Sequence, residues 1–267
     1  MRRKIAENMP HDNENRAKFG EAAIQLAWLH TLDGRRNRAE EYLREGADIL
    51  IAGGASESLW VKATLAEMYR RWALLEFELG RLDLAVEQCD RAITKLLDIQ
   101  SQDPLDPATD ILPATIRMKA WSLSRAGRAD EAFAAWADAI SHAKGADRDF
   151  YRSERALEQA LVGDHAAAAT EAREIASAPD LPAHQQAHLA RVYSRAIEAV
   201  DRDVRLNPTD AERLKLAYTA EAMACLRRVE AGWLSAPGRL AEIDSDVQLA
   251  AIRATADYAQ WRSAHDK

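Results

Sequence analysis

The chain is short of the residues that break helices. Of 267 residues only 11 are glycine and 8 are proline. Glycine is thus about 4%, against an ordinary usage near 7%. A doubly wound α/β enzyme needs glycine at its phosphate loops, so that class is excluded. Cysteine is scarcer still. Cys89 and Cys225 lie 136 residues apart within helical apolar patterns, which reads as two reduced core thiols rather than a disulfide framework. No apolar run approaches 18 residues, and patches such as Ile49-Leu50-Ile51-Ala52 are far too short to cross a bilayer. The basic start Met1-Arg2-Arg3-Lys4 is not followed by a signal-peptide core, because Glu7, Asn8, His11, Asp12 and Glu14 interrupt it. These absences predict a cytoplasmic protein with no membrane partner. With 36 Lys+Arg against 43 Asp+Glu the net charge is −7, which argues against a nucleic-acid partner. What is abundant is alanine, about one residue in five, the strongest helix former.

An internal repeat organises the first two thirds. Gly34, Gly80, Gly127 and Gly163 each separate two apolar helical patterns. Seven residues before each stands alanine: Ala27, Ala73, Ala120 and Ala156. Five residues after each stands alanine again: Ala39, Ala85, Ala132 and Ala168. A tight turn between antiparallel helices calls for a residue that tolerates positive φ, hence glycine. Where the helices cross, small side chains let the backbones approach, hence alanine on both sides. Apolar residues continue at helical spacing after each turn. Leu82, Ala85, Val86, Cys89, Ala92 and Ile93 follow Gly80, and Ala129, Ala132, Phe133, Trp136, Ala139 and Ile140 follow Gly127.

These positions resemble the tetratricopeptide repeat, with a small residue in helix A, glycine at the turn, and small, bulky, small positions in helix B. The best unit is Ala120, Gly127, Ala132, Trp136 and Ala139. Next come Ala73, Gly80, Ala85, Cys89 and Ala92, then the weaker Ala27, Gly34, Ala39, Leu43 and Gly46. Ala156, Gly163, Ala168, Ala172 and Ile175 are weaker still. The glycine spacings of 46, 47 and 36 depart from the family period of 34 and imply longer helices or links in the first units. One such loop is expected over 101–113, where Asp103-Pro104, Asp106-Pro107 and Pro113 cluster.

The last third reads as helices without the glycine register. Pro182 opens one helix, a Thr209/Glu212 capping box a second, and a Ser245/Gln248 capping box a third, with Pro237-Gly238 as a turn. The run 160–169 and Ala187–Tyr193 resemble tetratricopeptide regions attached to planctomycete-type bacterial serine/threonine kinases. So do Tyr218, Ala220, Leu226, Val229, Ala231 and Gly232, then Asp244, Asp246, Ile252-Arg253 and Tyr258. Val247 stands where that family prefers leucine. The resemblance implies a kinase-associated or stand-alone helical module, not a kinase. The chain has no Gly-rich phosphate loop, His-Arg-Asp catalytic loop or Asp-Phe-Gly triplet.

No constellation suggests catalysis, a metal or a cofactor. His184 and His188 share one helix face, but Gln185 stands where a zincin needs its glutamate base and no third ligand is evident. Both histidines are expected to be exposed or near a helix cap. Acidic pairs such as Glu40/Glu41 and Asp244/Asp246 have no evident partner. The latter pair is expected to flank a helix start, where negative charge is favoured. No serine sits in a nucleophile elbow, and neither cysteine has a local catalytic signature.

The seven tryptophans, at 28, 60, 72, 121, 136, 233 and 261, are more informative. Trp28 and Trp121 each follow a helix-A alanine, a position that the tetratricopeptide resemblance turns towards the concave groove. The same register adds Arg70, Leu74, Phe77, Arg117 and Ser124 to that groove. Arginine beside aromatic residues is interaction hot-spot chemistry. The chaperone-tail clamp of the family lacks its asparagine pair here, so that ligand is not carried over.

The expected fold is an all-α, right-handed superhelical solenoid of antiparallel helix pairs. A tail covers 1–13, four tetratricopeptide-like pairs cover 14–180, and C-terminal capping helices cover 181–267. The expected function is a non-catalytic module that binds a protein or peptide partner, in a kinase-linked bacterial signalling assembly. The alternative is a scaffold that self-associates through an exposed apolar helix face.

Overall fold

The computed structural model describes residues 12–52, 58–229, 234 and 236–265. All regular structure among the described residues is helical. The chain divides into two compact units, 1–143 and 144–267.

The first unit holds three helix hairpins: α1 (Asn13–Leu32) with α2 (Arg36–Ile51), α3 (Leu59–Glu78) with α4 (Leu82–Gln102), and α5 (Leu112–Arg125) with α6 (Ala129–His142). α3 packs on α1 and α2, and α5 packs on α4 and α3. The second unit opens with the hairpin α7 (Gly145–Leu161) and α8 (His165–Ala176). There follow α9 (Ala183–Arg202), α10 (Pro208–Arg228), α11 (Arg239–Ser245), a 3-10 turn at Val247–Leu249, α12 (Ala250–Arg253) and α13 (Ala256–Ser263). α9 is the hub of that unit, packed on α7, α8, α10 and α12.

The four repeat glycines adopt φ of +72°, +73°, +75° and +97°. A Cβ at any of them would meet open space, so the backbone conformation alone requires glycine there. Each turn closes with the same two hydrogen bonds. The glycine N–H donates three residues back, and the following N–H donates five residues back: Arg35 to His30, Arg81 to Glu76, Arg128 to Leu123 and Asp164 to Gln159, at 2.8–2.9 Å. This is the Schellman motif, formed four times. All eight flanking alanines are at most 3% exposed. Gly46, the small position of helix α2, is as demanding, because a Cβ there would lie 2.6 Å from Met68 Cε and 2.9 Å from Ala23 Cβ.

The uneven spacing comes from both helices and links. Residues 52–58 and 103–111 separate the first three hairpins, whereas only 143–144 precede the fourth. The expected loop over 101–113 is itself partly helical, with a 3-10 turn at Pro107–Ile111 that Asp106 caps at Ala108 N. Pro113 already lies in the first turn of α5.

Three local expectations are corrected. Asn207, not Thr209, caps α10, by accepting from Asp210 N at 2.9 Å, with Pro208 filling the first helical position. Asp246, not Ser245, caps the 3-10 turn, because Ser245 is still the last residue of α11. Asp244 therefore sits near a helix C-terminus, where the macrodipole disfavours it, and a cation and a hydroxyl compensate. Arg262 Nε approaches it at 2.8 Å and the Tyr258 hydroxyl donates to it at 2.8 Å. Ala231, Gly232 and Trp233 lie outside the described residues, as do residues 1–11 of the expected N-terminal tail.

Candidate functional site

The seven groove candidates all fall on the first helices of the three hairpins in the first unit: Trp28 on α1, Arg70, Leu74 and Phe77 on α3, and Arg117, Trp121 and Ser124 on α5. Trp28, Leu74 and Trp121 occupy the same register position, one residue after the buried alanine. Trp28 is 48% exposed, and the other six are half-buried.

Trp28 and Leu74 line one cleft together with Thr31, Arg71 and Glu78. Phe77 is joined to α5 from above, because the Arg125 guanidinium lies 4.9 Å from its ring centre. On α5 the Arg117 guanidinium lies 4.5 Å from the Trp121 ring centre. Trp121 in turn sets its ring 6.4 Å from that of the fully buried Trp136, nearly perpendicular to it. Arg117, Trp121 and Arg125 are four residues apart and so share one helix face. Each of these two arginines thus sets its planar cation against an aromatic ring.

Arg70 is held differently. Both it and Arg71 donate to Glu67, Arg70 through Nε at 2.7 Å and Nη2 at 2.8 Å. Burial pushes the Glu67 carboxyl up, but the two guanidiniums outweigh it and hold the pKa below the ordinary value. Arg70 thus already uses its fork within the helix. Arg125, absent from the sequence-based set, extends the face instead. Its signal was its place four residues after Trp121.

The turns carry a second feature that sequence alone left unread. Arg35, Arg81 and Arg128 each follow a turn glycine. Arg81 donates to Glu40 of the preceding hairpin at 2.8 Å and to the buried Glu76 at 2.9 Å. Arg128 reaches Asp83 of the preceding hairpin at 3.2 Å and Glu131 at 2.7 Å. Neighbouring hairpins are thereby tied at their turns, and the alignment of α1, α3 and α5 is held.

In the second unit His184 is exposed, but His188 is buried against α7, 3.3 Å from Glu154. This corrects the expectation that both histidines are exposed or near a helix cap: His188 lies in the second turn of α9, which is covered on more than one face. Burial, with Arg191 nearby, pulls the His188 pKa down to about 4. Both cysteines are buried, and burial pushes each thiol up to about 12. Among the described residues no group of three or more His, Cys, Asp or Glu side chains is placed to hold a metal. No helix among them is long and apolar enough to cross a membrane.

No family model and no curated protein matches the chain. Among solved structures it is similar to BtubC (BKLC) from P. vanneervenii, with a TM-score of 0.57 and 15% sequence identity. The likeness covers 84% of this chain and 86% of that one. At that identity it shows a shared helical fold and nothing further.

Proposed function

We propose that the chain is a non-catalytic, tetratricopeptide-like interaction module built as a right-handed solenoid. Its α1–α3–α5 wall binds a peptide or helix of a protein partner, in a kinase-linked bacterial signalling assembly in the cytoplasm. The observation that carries this reading is the repetition of accessible apolar side chains at one register position. Trp28, Leu74 and Trp121 stand on successive hairpins, bordered by Arg117 and Arg125 stacked on aromatic rings. Such a wall offers large apolar contact at low entropic cost, edged by guanidinium charge that suits an acidic partner.

The test is panning of a displayed peptide library on the full chain, with titration calorimetry of the selected peptides. Trp28→Ala and Arg117→Glu should each weaken binding by about 10-fold or more while leaving the circular dichroism unchanged. Peptides that bind both variants as tightly as the wild type would place recognition elsewhere and end this reading.

A further inference from the structure

The second hairpin of the first unit stacks through one apolar face of its first helix. On α3, Leu65, Met68, Trp72 and Leu75 pack against the first hairpin; Arg44 of α2 lies over the Trp72 ring at 6.0 Å. Counted back from the turn glycine, the same positions on α1 are Phe19, Ala22, Leu26 and Leu29. They too are apolar and recur at intervals of three and four, as in a helix–helix seam. Phe19 and Ala22 are half-buried, Phe19 against the core of its own unit, and among the described residues no helix precedes α1. Leu26 is 40% and Leu29 50% exposed, with Leu32 beside them at 64%. By register this face matches the stacking face of α3.

From this we infer that the Phe19–Leu32 face of α1 is an interface for a second copy of this chain, paired about a two-fold axis. The face is complementary to itself when reversed. With two α1 helices antiparallel and crossing between Gln25 and Leu26, Ala22 of one copy lies opposite Leu29 of the other. Phe19 then lies opposite Leu32, so apolar residues meet along the whole seam. Lys18 comes opposite Asp33, and the two-fold axis makes that pair twice. At present Lys18 pairs with Glu14 and Asp33 with Arg35, both exposed contacts that exchange at little cost. The seam spans about 20 Å of helix, shorter than a standard interface needs, so the dimer is weak and concentration-dependent, with a dissociation constant in the range of about 1–100 μM. The interface does not depend on the groove reading, since Leu26 and Leu29 are not among the groove residues.

Sedimentation velocity of the full chain across a concentration series is the test. The wild type should pass from monomer to dimer below about 200 μM. Leu29→Glu, at an exposed position that folding does not need, should weaken dimerisation by about 100-fold or more, with an unchanged circular dichroism spectrum. Lys18→Glu should weaken it several-fold, and Lys18→Glu with Asp33→Lys should restore it. A wild type that remains monomeric throughout overturns the inference. So does a dimer that Leu29→Glu leaves intact, or a charge reversal that the double variant does not rescue.

Discussion

Arg81 donates from one hairpin to Glu40 of the hairpin before it, at 2.8 Å, while the same guanidinium also satisfies the buried Glu76. One side chain therefore closes its own turn and fixes the offset of two hairpins. Trp72 Nε1 donates to the same Glu76 oxygen at 2.8 Å, so the carboxylate keeps one partner if arginine is lost. Arg81→Ala should destabilise the chain by roughly 2–4 kcal/mol, more than the loss of an exposed pair such as Arg91 with Glu87. Urea denaturation of Arg81→Ala beside Arg91→Ala checks this, and equal midpoints would refute it.

The turn glycines make a sharper case, because their space is open and only φ forbids a side chain. Gly127→Val should cost about 1–2 kcal/mol, and Gly127→Ala somewhat less, through the left-handed backbone alone. Thermal melts of the two variants provide the measurement. An unchanged melting curve for Gly127→Val would contradict the turn described above.

Gly46 predicts the opposite mechanism. Its φ is helical, and the cost of a side chain is collision with Met68 and Ala23. Gly46→Val should destabilise by about 1–3 kcal/mol, and Met68→Ala in the same chain should recover part of that loss. Additive losses in the double variant would show that the two sites do not meet.

His188 sets a pH dependence. Its folded pKa is depressed to about 4, while the unfolded chain titrates near the ordinary 6.5. Between these values the unfolded state binds the extra proton, so stability falls as pH drops. The loss is about 2 kcal/mol by pH 5. Denaturant midpoints at pH 7 and pH 5 should therefore draw closer together in His188→Gln. The same pH-dependent drop in variant and wild type would remove His188 from the account.

The buried thiols supply a simple control of packing. With both pushed up to about 12, neither Cys89 nor Cys225 carries appreciable thiolate near neutral pH. A thiol reagent at pH 8 should titrate neither in the native chain and both in denaturant. Rapid labelling of Cys89 in the native state would mean that α4 does not pack as described.

The helical class, the four turns and their alanines were legible because each rests on local chemistry: a positive φ, a close helix approach, an apolar stripe. What escaped reading depended on partners remote in sequence. The Gly-Arg dipeptides at 34–35, 80–81 and 127–128 were visible, but nothing local says that Arg81 reaches back to Glu40. The stacking of Arg125 on Phe77 joins residues 48 positions apart. His188 looked exposed because a lone helix shows one apolar face, whereas α9 has neighbours on several sides. The caps were misplaced by two residues or fewer, since Asn207 beside Pro208 and Asp246 beside Ser245 offered equally good side chains and only geometry selects one.

The central claim is that the α1–α3–α5 wall receives a partner. Hydrogen–deuterium exchange of the full chain, free and saturated with a library-selected peptide, tests it most directly. The account predicts slowed exchange over 24–32, 67–78 and 114–125, with residues 144–265 unaffected. Protection confined to 144–265, or none over the three helices, would contradict it.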